Sequence, residues 1–219
     1  MGQEINLLHF YPKTKNRAKT RFDITEEDRT ISRKFGQEYF DGDRKYGYGG
    51  FRYNPRFWTE TVKLFKEHYK LQENSQILDI GCGKGFMIKD FLTLLPKARI
   101  KGIDISEYAI KHAHPDVKDY LSIANATNLP FANDQFDLVI SINTIHNLDR
   151  NGCIKALQEI ERVGKGNSFV MVDGWQNESE RVALESWVLT AKTMMSKTDW
   201  ISLFKEAGYS GDYWFWTVS

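Results

Sequence analysis

The segment from Ile77 to Gly85 reads ILDIGCGKG, an apolar run that ends in three glycines at alternate positions. Glycines at such a turn leave the backbone open to close approach by a ligand. A dinucleotide site spaces its glycines G-x-G-x-x-G so that the diphosphate rests on a helix N-terminus. Here the third glycine arrives one residue early, and Asp79 stands two residues before the first. A carboxylate at that point repels a diphosphate and attracts a cation. The pattern therefore favours S-adenosylmethionine, with its ammonium and sulfonium charges, over a nicotinamide dinucleotide. Further on, Asp104 closes a second apolar run in GIDIS. A carboxylate there can accept both ribose hydroxyls, which either cofactor has.

Other residues offer acceptor chemistry. His146 follows a third apolar run in SINTIHN. An imidazole with an ordinary pKa of about 6.5 can take a proton near neutrality, or it can order the loop and line the pocket. Asn143, in the same stretch, is a second pocket candidate, and Asp173, in Asp173-Gly174-Trp175, faces the crevice or is structural. The segment YGYGGFRY, residues 46–53, mixes backbone freedom with rings and hydroxyls, a composition suited to a lid. Tyr46 and Tyr48 are thus catalytic candidates, with packing against neighbouring helices as the alternative. Lys13, Lys15, Arg17, Lys19 and Arg21 place five cations in nine positions, an arm for phosphate or RNA or else a solvated stretch. Cys82 shows no sign of activation, and a small side chain is all the turn requires. His9, His68, His112 and His114 form no metal-ligand grouping, so no metal is expected.

Positioning these residues requires a sheet. QILDI, ARIKGIDI, LSIAN, FDLVISI and NSFVMVD read as strands, separated by helical patterns near Lys84 to Leu95, after Ser106, and around Ile154 to Val163. Strands alternating with helices in this way imply right-handed βαβ units and a doubly wound, mostly parallel α/β sheet. Upstream, Thr25 with Asp28 suits a capping box, and Ile31, Phe35 and Tyr39 predict one helix up to Asp41. Asn54 and Pro55 suit the start of another, with Trp58, Val62, Phe65 and Tyr69 on one face. The tail reads as a helix from about Glu178, a turn near Met195 and Ser196, a helix through Trp200, Leu203 and Phe204, and a last strand in DYWFWTV. The expected division is 1–73, a basic arm with helices and a Gly/Tyr lid, and 74–219, a cofactor-binding core.

Composition narrows the partners. Thirty Lys and Arg against 29 Asp and Glu leave a net charge of +1, so no overall field argues for nucleic acid or membrane. Two cysteines exclude a disulfide scaffold, and no apolar run approaches the roughly 20 residues of a membrane span. A cytoplasmic protein is expected.

Residues 75 to about 175 resemble a class I S-adenosylmethionine-dependent methyltransferase. The matching pieces are LDIGCGKG, GIDIS, NATNLPF and FDLVISINTIHNL, in order and at the usual distances. The resemblance implies that Asp79, Gly81 and Gly83 border the methionine part of the cofactor, that Asp104 holds the ribose, and that Ile105 packs on the adenine. Many relatives end the third strand in Gly-Asp-Ala. The corresponding triplet here is Ala124-Asn125-Ala126, in which Asn125 still offers a carbonyl acceptor. The family's sheet also has two closing strands at an antiparallel end. DYWFWTV supplies one; either the chain is one strand short, with six strands, or the other lies near Leu189 to Met194 and makes seven. The expected activity is in-line methyl transfer to a small-molecule acceptor at O, N or C. The alternatives are an RNA or protein methyltransferase, an NAD-dependent oxidoreductase, or a non-catalytic cofactor-binding module.

Overall fold

The computed structural model describes residues 2–12 and 24–217, so the basic stretch at 13–21 lies outside the described residues. Seven strands form the sheet: β1 (Gln76–Ile80), β2 (Arg99–Asp104), β3 (Leu121–Ile123), β4 (Leu138–Ile142), β5 (Ser168–Trp175), β6 (Met195–Ser196) and β7 (Asp212–Trp216). Their order is β3-β2-β1-β4-β5-β6, with β7 also paired to β5, and every strand pairing is parallel. Ile77, Leu78, Leu138, Val139, Ile140, Phe169, Val170 and Val172 are fully buried. Such unbroken apolar runs mark strands covered on both faces. Leu78, Ile80, Val139, Val170 and Val172 face one core layer with the helices α6 (Arg150–Val163) and α8 (Lys197–Ala207). Ile77, Leu138, Ile140, Phe169 and Met171 face the other, with α3 (Thr59–His68) and α4 (Phe86–Leu94). The order reverses between β1 and β4, so the crevice of such a sheet opens beyond their carboxyl ends.

Two sequence-based expectations for the N-terminal region are corrected. The single helix up to Asp41 is instead two short ones, α1 (Glu26–Ser32) and α2 (Gln37–Asp41). The Thr25 capping box is present, but the backbone turns left-handed at Phe35 (φ 48°) and Gly36 caps the second helix. The four-residue spacing of Ile31, Phe35 and Tyr39 thus runs across a break. The next helix starts at Thr59 rather than at Pro55. Asn54 holds its own turn, its Oδ1 accepting from the Arg56 amide at 3.1 Å, a local bond that competes with helix formation.

At the other end, the antiparallel closure is not found. A crossover through α8 returns the chain to the same end of the sheet, so β7 runs parallel to β5. The missing strand is β6, two residues long and one position beyond the expected stretch, where a turn was also expected. The free edge of β7 meets the segment around Glu4: the Ile5 amide donates to the Tyr213 carbonyl at 2.9 Å, and the Tyr213 amide donates to that of Gln3 at 3.1 Å. An edge covered in this way is closed to pairing with another chain. Among the described residues no helix is long and apolar enough to cross a membrane.

Candidate functional site: the glycine turn and its lid

The turn after β1 is built by backbone conformation. Gly81, Gly83 and Gly85 have φ values of 80°, 54° and 77°, a region side chains rarely adopt. A Cβ at Gly81 would also collide with the Thr144 side chain, and one at Gly85 would lie 2.7 Å from Val117. The amides of Gly81 and Cys82 both donate to the Ile103 carbonyl, at 2.8 and 3.0 Å, which pins the turn to the end of β2.

Asp104 connects the turn to the next loop. Its Oδ2 accepts from the Gly83 amide at 2.8 Å, and its Oδ1 from the Ser106 amide at 2.8 Å. Ser106 in turn caps α5 (Glu107–Lys111). Burial raises the Asp104 carboxyl above its ordinary value, against the amides of Ser106, Gly83 and Ile105. Asp79 is also buried, and among the described residues nothing donates to its carboxylate. Burial, with the Asp104 charge behind it, pushes Asp79 up to about 8. Two such carboxyls beside left-handed glycines, two of them with no room for a side chain, could hold a cationic nucleoside, and the chemistry of that group fits the residues present. The same burial and the same two charges drive the Cys82 thiol well above its usual range, so it is not a reactive thiolate.

Ile105, next in the chain, is 55% exposed. An apolar side chain left open at the end of β2 can take a flat base. Asn125 is exposed, and its Oδ1 already accepts from the Thr127 amide and hydroxyl, each at 3.0 Å. That leaves its NH2 as the free group. Ala126 packs against the core beside it. Asn143 ends β4 in a left-handed conformation (φ 52°) with its side chain exposed.

His146 sits in a short 3-10 turn, Ile145–Asn147, and is 3% exposed. Its Nδ1 accepts from the Asp173 amide at 3.1 Å, with the Asp173 carboxylate at 3.6 Å. Burial raises the Asp173 carboxyl, against the nearby imidazole. With Nδ1 as acceptor, the neutral ring carries its proton on Nε2, which has no partner among the described residues. The His146 carbonyl accepts from the amides of Lys192 and Thr193, both at 3.0 Å. The same connecting segment holds Tyr48, whose hydroxyl accepts from the Leu189 amide at 2.7 Å. The Tyr48 ring lies between Tyr39 and Trp187, at 6.1 and 6.3 Å. Tyr46 is half-buried beneath the Lys45 ammonium at 4.5 Å. The structure therefore brings Asp79, Gly81, Gly83 and Asp104 into one cluster, and joins Tyr48 and His146 through residues 189–193. The Asn125 side chain bonds only within its own turn, although the Ala124 amide beside it donates to the Asp104 carbonyl at 3.1 Å.

Sequence reasoning missed the residues that bind residues 35–51 to this site. Lys84, inside the glycine turn, is 8% exposed, and its Nζ donates to Asp41 Oδ1 at 2.5 Å and to the Phe51 carbonyl at 3.2 Å. The Tyr108 hydroxyl donates to Asp41 Oδ2 at 2.9 Å, and the Ser106 hydroxyl to the Phe35 carbonyl at 2.5 Å. Burial works to raise the Asp41 carboxyl, and the bonds from Lys84 and Tyr108 outweigh it and hold it low. The only signal in the sequence was a lysine in a position that any solvated residue could fill.

Comparison with known proteins points to a methyltransferase domain. Residues 77–167 match a family model described as a methyltransferase domain. The chain is 37% identical over 115 residues to tRNA (carboxymethyluridine(34)-5-O)-methyltransferase of Arabidopsis thaliana, covering 52% of this chain and 27% of that one. It is 36% identical over 100 residues to malonyl-[acyl-carrier protein] O-methyltransferase of Legionella pneumophila, covering 44% and 34%. The matched regions thus span only about a quarter to a third of these curated relatives. Among solved structures, a SAM-dependent methyltransferase of Methanosarcina mazei superposes with a TM-score of 0.51 at 21% identity, over 64% of this chain and 82% of that one, a likeness of fold. Residues 77–167 thus form a methyltransferase domain, and S-adenosylmethionine is the cofactor that such a domain implies for this site.

Proposed function

We propose that the protein transfers the methyl group of S-adenosylmethionine to a small-molecule acceptor. One observation carries the small-acceptor reading: the carboxyl ends of β1 and β4, which flank the crevice, are each covered by another segment of the chain. Residues 35–53 cover the glycine turn, and the segment after α7 (Glu178–Trp187) joins Tyr48 to the His146 loop. A roof of this kind favours an enclosed acceptor over an open, charged groove.

In this reading Asp79 and the open backbone at Gly81 and Gly83 border the methionine end, Asp104 the ribose, Ile105 the adenine, with Asn125, Ala126 and Asn143 at the rim. When bound, the cofactor supplies a methyl group already activated by a sulfonium charge. The protein then has to align the acceptor and keep water out. His146 serves as a hydrogen-bond donor through Nε2 and not as a base, because its Nδ1 lone pair is engaged by the Asp173 amide. Tyr48 shapes the acceptor side through the Leu189 amide. Tyr46 borders the lid.

A second reading, transfer to RNA, is favoured by the Arabidopsis relative, a tRNA methyltransferase, together with the five cations of residues 13–21. The test begins with calorimetric titration of S-adenosylhomocysteine, with NADH in parallel. Binding of NADH alone would overturn the proposal. Methyl incorporation from labelled cofactor is then measured with a panel of small hydroxy, amino and carboxylic acids and with total tRNA. Labelling of tRNA alone would replace the small-molecule reading with the second one.

A further inference from the structure

We propose that the Lys84–Asp41 ion pair is a clasp that retains the cofactor, holding residues 35–51 down on both loops that bind it. The inference rests on the cofactor reading above and assigns a role to residues outside it.

The clasp has four hydrogen bonds, two on each loop, and the Phe40 ring adds a contact to each. On the glycine turn, Lys84 reaches Asp41 and the Phe51 carbonyl, and the Phe40 ring comes within 3.4 Å of the position a Cβ on Gly83 would occupy. On the β2–α5 loop, Tyr108 donates to the other oxygen of Asp41, and Ser106 donates to Phe35. The Phe40 and Tyr108 rings stack at 6.5 Å, 22° from parallel. Gly83 and Ser106, touched from above by Phe40 and Phe35, are the two residues whose amides hold the Asp104 carboxylate from below. The lid therefore lies directly on the element that must hold the ribose. Asp41 serves as a two-pronged acceptor, one oxygen for each loop, so its loss frees both at once. A lysine only 8% exposed has little water to replace a lost partner, which makes the pair slow to open. Asp41 and Lys84 are positioning residues, acting on the cofactor through the lid.

The test is the dissociation of labelled S-adenosylhomocysteine, chased with unlabelled ligand, from wild-type protein and from Asp41→Asn, Tyr108→Phe and the double variant Asp41→Asn/Lys84→Met. Asp41→Asn keeps the shape and removes the charge, at a site that does not touch the expected ligand position. It should speed dissociation by about tenfold or more. Tyr108→Phe should have a smaller effect, and the double variant should add to Asp41→Asn only the loss of the Lys84–Phe51 bond, because the ion pair is already gone. Trypsin cleavage at Arg44, Lys45 and Arg52 should be suppressed by the ligand in wild-type protein and not in Asp41→Asn, a readout that a purely structural role would not move. Wild-type binding with unchanged dissociation from Asp41→Asn overturns the clasp alone. Absence of binding to wild-type protein overturns the cofactor reading and the clasp with it.

Discussion

Asp79 links cofactor affinity to pH. In the free protein its carboxyl is pushed up to about 8 by burial and by Asp104, so near neutrality it is mostly protonated. A cationic ligand needs it ionised. Binding should therefore expel a proton, about 0.9 per cofactor at pH 7 if the bound carboxyl titrates well below that. The affinity for S-adenosylhomocysteine should rise about ninefold from pH 6 to pH 7 and level off above about 8. Calorimetry at pH 7 in phosphate and in Tris, whose ionisation enthalpies differ, counts the protons directly. Asp79→Asn should bind weakly, release none and show a flat profile. The reasoning would be refuted by wild-type binding whose enthalpy is the same in both buffers. That result would mean the carboxylate is already ionised in the free protein or does not face the ligand. The same shift bears on stability. A carboxyl whose folded pKa lies above its ordinary 3.8 contributes fully below about pH 4, and that contribution falls as pH rises through about 8. The melting temperature of the free protein should decline between pH 5 and pH 8, more steeply than that of Asp79→Asn.

Further expectations follow from single contacts. Asp104→Ala removes the acceptor of two loop amides as well as the proposed ribose contact, so cofactor binding should be lost in titrations up to millimolar ligand; retained affinity would show that the ribose lies elsewhere. Gly81→Ala demands a left-handed alanine in collision with Thr144, and denaturant unfolding should show a loss of about 2 kcal/mol or more. Tyr48→Phe strands the Leu189 amide. It should cost about 1–2 kcal/mol in stability and lower turnover on any acceptor found, with cofactor affinity unchanged; unaltered turnover would reduce Tyr48 to packing. If His146 is a donor and not a base, His146→Gln should lower turnover without changing the shape of its pH profile.

Much of the fold was legible because buried parallel strands write themselves as apolar runs. QILDI, FDLVISI and NSFVMVD coincide with β1, β4 and β5 to within two residues at each end. The two-residue β6 carries too little pattern to stand out, and the direction of β7 is decided by the α8 crossover and not by its own residues. The break at Phe35 was hidden because a left-handed residue between two helices leaves the apolar spacing intact. The glycine turn and Asp104 could be found because their chemistry is local and their spacing regular. Lys84 and Asp41 lie 43 positions apart, and no sequence periodicity joins an ion pair across that distance. The contacts of His146 with Asp173 and of Tyr48 with Leu189 are likewise products of packing.

The bonds from Arg29 to the carbonyls of Val188 and Glu185 change how residues 35–51 can move. That segment is held on one side by α1 and on the other by α3, so it opens as a loop does, by bowing outward, and does not swing away as an arm would. Asp41 then stays at a high effective concentration near Lys84 even when the pair is broken, in the millimolar range expected of a short tether. Reclosure of so short a span is fast, on the order of a microsecond or less, and ligand exchange is governed by how often the pair breaks. Added salt, which weakens the pair but leaves the tether intact, should accordingly act on cofactor release more than on cofactor entry.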